Sequence, residues 1–221
     1  MCGRFTQDVT DDGLIDLYGL DREAAGVVTR SRWNGAPTQD FVICRADGAG
    51  KTSLARHRWG LIPAWARDIK IGARLINARS ETVHSKPSFR SAFRRRRCLV
   101  PANGWFEWQR EGTVKQPWWI SFGGDLFSFA GLWETWNGGA GPVHSFTVLT
   151  CPSASALKWL HHRQPAIIPR ECYGEWLEPR ARVPSLLELA RASHSGPFEC
   201  RKVSRAVNRV GNDDPGILDP A

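Results

Sequence analysis

The feature that most constrains the fold is a recurrence of short runs rich in β-branched and aromatic residues, at 41–45, 53–59, 98–100, 105–109, 118–122, 126–133, 145–150 and 199–203. Gly, Pro and Asn separate them, most densely in Asn137-Gly138-Gly139-Ala140-Gly141-Pro142. Short strands joined by such turns predict antiparallel sheet. Helical patterns are fewer, at 11–18, 155–160, 170–177 and 184–192, the last with a Ser185-x-x-Glu188 capping-box spacing. The expected fold is α+β: one domain with an irregular, mainly antiparallel β-barrel-like core and flanking helices. It is expected to span 1–210, with 211–221 as an irregular C-terminal tail rich in Asp and Pro. No internal repeat is visible.

Charge narrows the partner. Thirty Lys and Arg against 22 Asp and Glu give +8, a bias that suits a polyanion. Eleven Trp beside only two Tyr supply flat rings able to stack on unpaired bases, although a Trp is more often core. No apolar stretch reaches membrane-span length and no secretory signal opens the chain, so a cytoplasmic protein without a membrane partner is expected. The closest cysteines, Cys151 and Cys172, are too far apart for the short pairs that zinc sites use, so neither metal nor cofactor is expected.

Five segments carry chemistry. In Met1-Cys2-Gly3-Arg4-Phe5 the small second residue permits removal of Met1, which leaves Cys2 with an α-amine and a thiol on neighbouring carbons. An aldehyde then forms an imine that sulfur closes into a thiazolidine, a reaction open only to an N-terminal Cys. An α-amine of pKa near 7.7–8.0 is partly neutral at physiological pH and attacks without a strong base. Glu107 lies among Trp105, Phe106 and Trp108; aromatic neighbours that exclude water raise a carboxyl pKa toward neutrality, which suits proton transfer. An outward-facing Glu on a half-buried strand is the plainer reading. His161-His162-Arg163 offers an imidazole for proton transfer and a guanidinium for phosphate, or simply a surface His pair. Asn77 can orient a hydroxyl, although the run 75–82 reads locally as a helix N-cap and an amphipathic turn. The segment 86–97, with Phe89, Arg90, Phe93 and the run Arg94 to Arg97, interleaves rings and cations as backbone-gripping proteins do, although a charge run is often simply a solvated face.

Together these segments resemble the SOS-response-associated peptidase (SRAP) family over nearly the whole chain. The likeness rests on the Met-Cys-Gly-Arg start, Trp33-Asn34-Gly35-Ala36-Pro37-Thr38, Trp59 to Trp65, Asn77-Ala78-Arg79-Ser80-Glu81 and Arg97 to Ala102. It continues through Glu107-Trp108, Thr147 to Thr150, His161-x-Arg163-x-Pro165, and Val207-Asn208 with Asn212-Asp213. The resemblance implies sensing and shielding of abasic sites in single-stranded DNA through a covalent Cys2 adduct, with AP-lyase activity from the same imine and nucleoid association through DNA. It implies a catalytic set of Cys2, Asn77, Glu107 and His161, and DNA-binding roles for Arg4, Asn34, Pro37, Trp65, Arg79, Arg90, Trp108, Thr150 and Arg163, in a monomer. His162 stands where Asp is frequent in the family, Gln164 where Met is usual, and Trp105-Phe106 where Phe-Tyr is commoner. Two other readings stand beside it: a cysteine peptidase built on the same Cys2, His161 and Glu107, and a non-covalent single-strand-binding module, favoured by the charge and the Trp content and indifferent to Cys2.

Overall fold

The computed structural model describes residues 2–22, 30–47, 49–192 and 196–221. The strands are β1 Phe5–Gln7, β2 Arg32–Gly35, β3 Asp40–Ala46, β4 Thr52–Trp59, β5 Asn77–Arg79, β6 Arg97–Ala102 and β7 Gly104–Glu111. They continue with β8 Val114–Ser121, β9 Phe127–Trp136, β10 Val143–Pro152, β11 Arg163–Pro165, β12 Ile167–Ile168 and β13 Glu199–Lys202. The helices are α1 Asp11–Tyr18, α2 Arg90–Arg95, α3 Tyr173–Leu177 and α4 Val183–Arg191.

Strands β10, β4, β3, β6 and β9 pair in that order, and β9 pairs back onto β10, closing a five-stranded barrel. All but one of these pairings are antiparallel; β4 and β10 run parallel. The expected barrel-like α+β domain is therefore present. Period-two alternation assigns the two faces of the barrel wall. Phe41, Ile43, Trp59, Val100, Phe129, Phe146 and Val148 fill one cluster, while Val42, Cys44, Leu99, Ala130 and Leu132 pack outward against α1, α3 and α4 side chains such as Leu14, Trp176 and Leu186.

A second sheet, in the order β13-β8-β7-β1-β2, lies over the first cluster. Phe5 of β1 joins the sheets. Its ring sits 5.0 Å from Trp59 and 5.8 Å from Phe129, edge to face. Truncating so buried an aromatic costs about 3–5 kcal/mol, and its neighbour in sequence, Arg4, inherits the fixed position. Gly35 makes the β1–β2 approach possible, since a Cβ there would lie 2.5 Å from the Phe41 ring and 2.8 Å from the Phe5 carbonyl.

Several local expectations change in the structure. Helix α4 starts at Val183 with Arg182 as an N-cap that makes no side-chain bond. Pro184 in its first turn supplies a helix-ready φ, so the Ser185 to Glu188 spacing falls inside the helix instead of capping it. The run 155–160 keeps only a 3₁₀ turn at Ser155–Leu157. The run 75–82 is no helix start: Asn77, Ala78 and Arg79 pair in parallel with Val148, Leu149 and Thr150 of β10. Residues 90–95, read as a basic segment, form α2, which buries Ala92 and Phe93. The segment 211–221 packs onto the body, with Ile217 buried and a bridge from Val203 to Pro220.

Candidate active site

Four side chains from four parts of the chain converge at the corner where the second sheet meets the barrel. Cys2 precedes β1 and is fully buried; its Sγ lies 3.8 Å from the Arg4 carbonyl. Asn77 donates from Nδ2 to the Cys2 carbonyl at 2.7 Å. That amide is aimed by the barrel, because Trp59 Nε1 and the Val148 N–H both hold the Ile76 carbonyl, at 2.8 and 3.1 Å. A core tryptophan therefore helps to set the reach of a polar side chain through the residue that precedes it.

Glu107 lies on β7 and is only 5% exposed. It lines a narrow crevice with Trp105, Ile120, Leu157, Leu160, His161 and Arg163. Burial among these largely apolar walls raises its carboxyl to about 7, opposed by the positive amino terminus of the chain. The Cys2 thiol is pushed well above its ordinary value, first by burial and then by the Glu107 charge. His161 moves the other way: burial, then the positive amino terminus, lower its pKa and favour the neutral ring. Its Nδ1 lies 3.0 Å from both the N–H and the carbonyl of Arg163. The neutral ring accepts from that N–H and keeps its proton on Nε2, whereas the protonated ring donates to the carbonyl.

A family model described as SOS response associated peptidase (SRAP) matches residues 1–210. The chain belongs to the SRAP family. Its relatives include the abasic site processing protein YoqW of Bacillus subtilis, 36% identical with 99% of both chains covered. Another is the abasic site processing protein YedK of Escherichia coli, 29% identical across both full lengths. The abasic site processing protein HMCES of Gallus gallus is 32% identical over 74% of this chain and 56% of its own. A crystal structure of a Bacteroides thetaiotaomicron protein superposes with a TM-score of 0.87 at 25% identity, covering both chains fully.

The other expected site residues of this SRAP chain fall into two groups. Arg4, Trp65, Arg79, Arg90 and Trp108 reach solvent wholly or in part, as does Pro37. Arg4 donates from Nη1 to Asn34 Oδ1 at 2.6 Å and to the Val207 carbonyl at 2.8 Å, and Trp108 Nε1 donates to Asn208 Oδ1 at 2.6 Å. With Arg110, Lys115 and Asn208, these two line a cleft of about 600 Å³. Sequence reasoning missed Arg110, Lys115 and the lining role of Asn208; the alternation that turns Trp108 outward points to Arg110 two residues on. Trp65 is 60% exposed. Arg90 stands on α2, which packs on β6 and β9, and lines neither crevice nor cleft.

Asn34, Thr150 and Arg163 form the second, buried group. Asn34 Nδ2 is held by the carbonyls of Val207, Arg209 and Asn212 at 3.0, 3.1 and 2.8 Å. Arg163 forks onto both Glu81 oxygens at 2.7 and 2.9 Å and onto Thr150 through Oγ1 and the carbonyl, at 3.2 and 2.5 Å. These donors are spent inside the protein, so the three residues hold the site together from behind. The run Arg94 to Arg97 divides likewise: Arg94 and Arg95 are exposed, Arg96 pairs with Glu134 at 2.6 Å, and Arg97 is buried on the carbonyls of Trp176, Phe93 and Glu178. Among the described residues there is no group of three or more His, Cys, Asp or Glu placed to hold a metal, and no helix is long and apolar enough to cross a membrane.

Proposed function

We propose that this chain processes abasic sites in single-stranded DNA by covalent capture on Cys2 once Met1 is removed. The α-amine of Cys2 adds to the ring-opened sugar aldehyde and loses water to form an imine. The thiol then adds to the imine carbon, its proton passes to nitrogen, and a thiazolidine results. The observation that carries this reading is the convergence of Cys2, Asn77, Glu107 and His161 on one dry corner, with a basic, Trp-lined cleft on the other face of β7. Relatives named for abasic site processing support the same substrate.

The roles follow from the chemistry. A carboxyl near pKa 7 exchanges protons at neutral pH, as carbinolamine dehydration requires. Neutral His161, its Nδ1 occupied by the Arg163 N–H, offers Nε2–H to the sugar oxygen as the ring opens, and Asn77 fixes the backbone that carries the nucleophile. β-Elimination from the same imine gives the associated lyase activity. A thiolate-first peptidase is less well served, because such a nucleophile needs a lowered thiol pKa and burial here raises it. The test is incubation with a single-stranded oligonucleotide holding one abasic site, followed by a denaturing gel and the mass of the N-terminal peptide. A shifted band whose adduct maps to Cys2 is expected; peptide cleavage without any DNA adduct would overturn the reading.

A further inference from the structure

One aromatic pair beside the crevice, with one ring half-buried and the other exposed, has no part in the chemistry above. Glu107 of β7 and Trp118 of β8 are direct cross-strand partners, so both side chains project from the same face of the sheet. Trp118 is half-buried; its indole N–H donates to Gln109 Oε1 at 3.0 Å, and the Lys202 ammonium lies 5.4 Å over its ring. Against its edge stands Trp159, ring centroids 4.9 Å apart at 81°. Trp159 is 48% exposed although its neighbours Leu157 and Leu160 are buried in the crevice wall.

Burying an indole normally releases more free energy than leaving it wet, and the same short turn buries both leucines beside it. The turn thus holds Trp159 outward while its partner Trp118 keeps it from collapsing. Lysines flank the pair, Lys202 at Trp118 and exposed Lys158 next to Trp159. Flat rings with cations alongside are what single-strand-binding surfaces offer to bases and phosphates.

We infer that Trp159, braced by Trp118, is a stacking ledge for the unpaired base on one side of the abasic position, with Lys202 and Lys158 facing the adjoining phosphate. The inference rests on the reading that this corner takes single-stranded DNA, and it assigns one flanking base a site. It also separates this ledge from the cleft at Trp108, which opens on the opposite face of β7.

The experiment uses strands carrying a tetrahydrofuran abasic analogue, which has no aldehyde and forms no adduct. One strand has ordinary bases on both sides; in two others the 5′ or the 3′ neighbour is also replaced by tetrahydrofuran. A base stacked on an aromatic ring contributes about 1–3 kcal/mol, so Trp159→Ala should weaken the first strand about fivefold or more and Trp159→Phe much less. On one of the two base-deleted strands, wild type should lose the same affinity and Trp159→Ala should add nothing further. Equal weakening of all three strands, or none, overturns the ledge. Loss of the Cys2 adduct on a true abasic strand would sink the capture chemistry while leaving this binding result intact.

Discussion

The two faces of β7 differ as sharply as any two parts of the molecule. On one face Glu107 is walled in by Trp105, Ile120 and Leu160, and its carboxyl is driven up to about 7. On the other face, one residue on, Trp108 looks into an open cleft with Arg4, Arg110 and Lys115. A strand reverses its side chains at every residue, so on the proposed reading adjacent positions of one strand would serve proton transfer in a dry place and phosphate binding in a wet one. The contrast teaches that separate faces keep the cations of the cleft from lowering the carboxyl pKa that neutral-pH chemistry needs.

The largest effect that can break the comparison belongs to the dry side. Cys2→Ala is expected to abolish the stable adduct on a denaturing gel, and an uncleaved N-terminal extension should do the same. If either forms adduct at the wild-type rate, the dry corner is not where capture occurs.

Next come the proton-transfer groups. Each positioned acid or base supplies roughly 10²–10⁴ in rate, so Glu107→Gln and His161→Ala should slow single-turnover capture at least about tenfold while barely moving affinity for intact single strands. The rate should inflect near pH 7 in wild type, where Glu107 changes charge, and that inflection should vanish in Glu107→Gln. Affinity falling in step with rate would move these residues to the binding side.

The wet side is read in salt. Each phosphate neutralised on a single strand contributes about −0.7 to the log–log slope. Arg4→Ala with Arg110→Ala should therefore flatten the slope by roughly 1.4. Arg163→Ala should leave the slope alone and slow capture, because its guanidinium is tied to Glu81 and Thr150 while its backbone holds His161. An unchanged slope in the double variant, or a flattened one in Arg163→Ala, would erase the division.

The smallest effect is on stability. The Glu107 pKa is raised on folding, so between about 4.5 and about 7 the folded state holds more proton than the unfolded one, and stability falls as pH rises through that window. Glu107→Gln removes a carboxylate that is buried ionised above the window. Its thermal midpoint at pH 8 should exceed wild type by on the order of a few °C, with the gap closing below pH 5. A gap that is independent of pH would mean the carboxyl is not desolvated.

How much of this was legible depends on range. Strand runs such as 53–59 and 145–150 showed in sequence because alternation and turn residues are local signals, and α1 matched its pattern from Asp11 to Tyr18. Strand β5 did not, because Asn77 pairs only through its parallel neighbour Val148, which is remote in sequence. The candidate quartet was named from resemblance, and residue chemistry alone favoured an outward-facing Glu107, whereas the fold buries it. The burial of Arg163 and Asn34 was invisible for the same reason: their partners Glu81, Val207 and Asn212 are brought to them only by the fold.

The bond from Arg4 to the Val207 carbonyl spans 203 residues of chain. Asp213 reinforces it, accepting from the Trp33 and Asn34 N–H groups at 2.7 and 2.8 Å. During synthesis at about 5–20 residues per second, the partners of Arg4 emerge roughly 10 to 40 s after Arg4 itself. On the proposed reading, in which Cys2 is the reactive end, this order would act as a safety interval: Arg4 is fully framed only when nearly the whole polypeptide exists. Ribosome-stalled chains ending before residue 205 should expose Arg4 and Cys2 to protease and thiol reagents, whereas chains extended past 213 with the exit tunnel cleared should protect them; equal protection in both would show that the corner closes without its last segment.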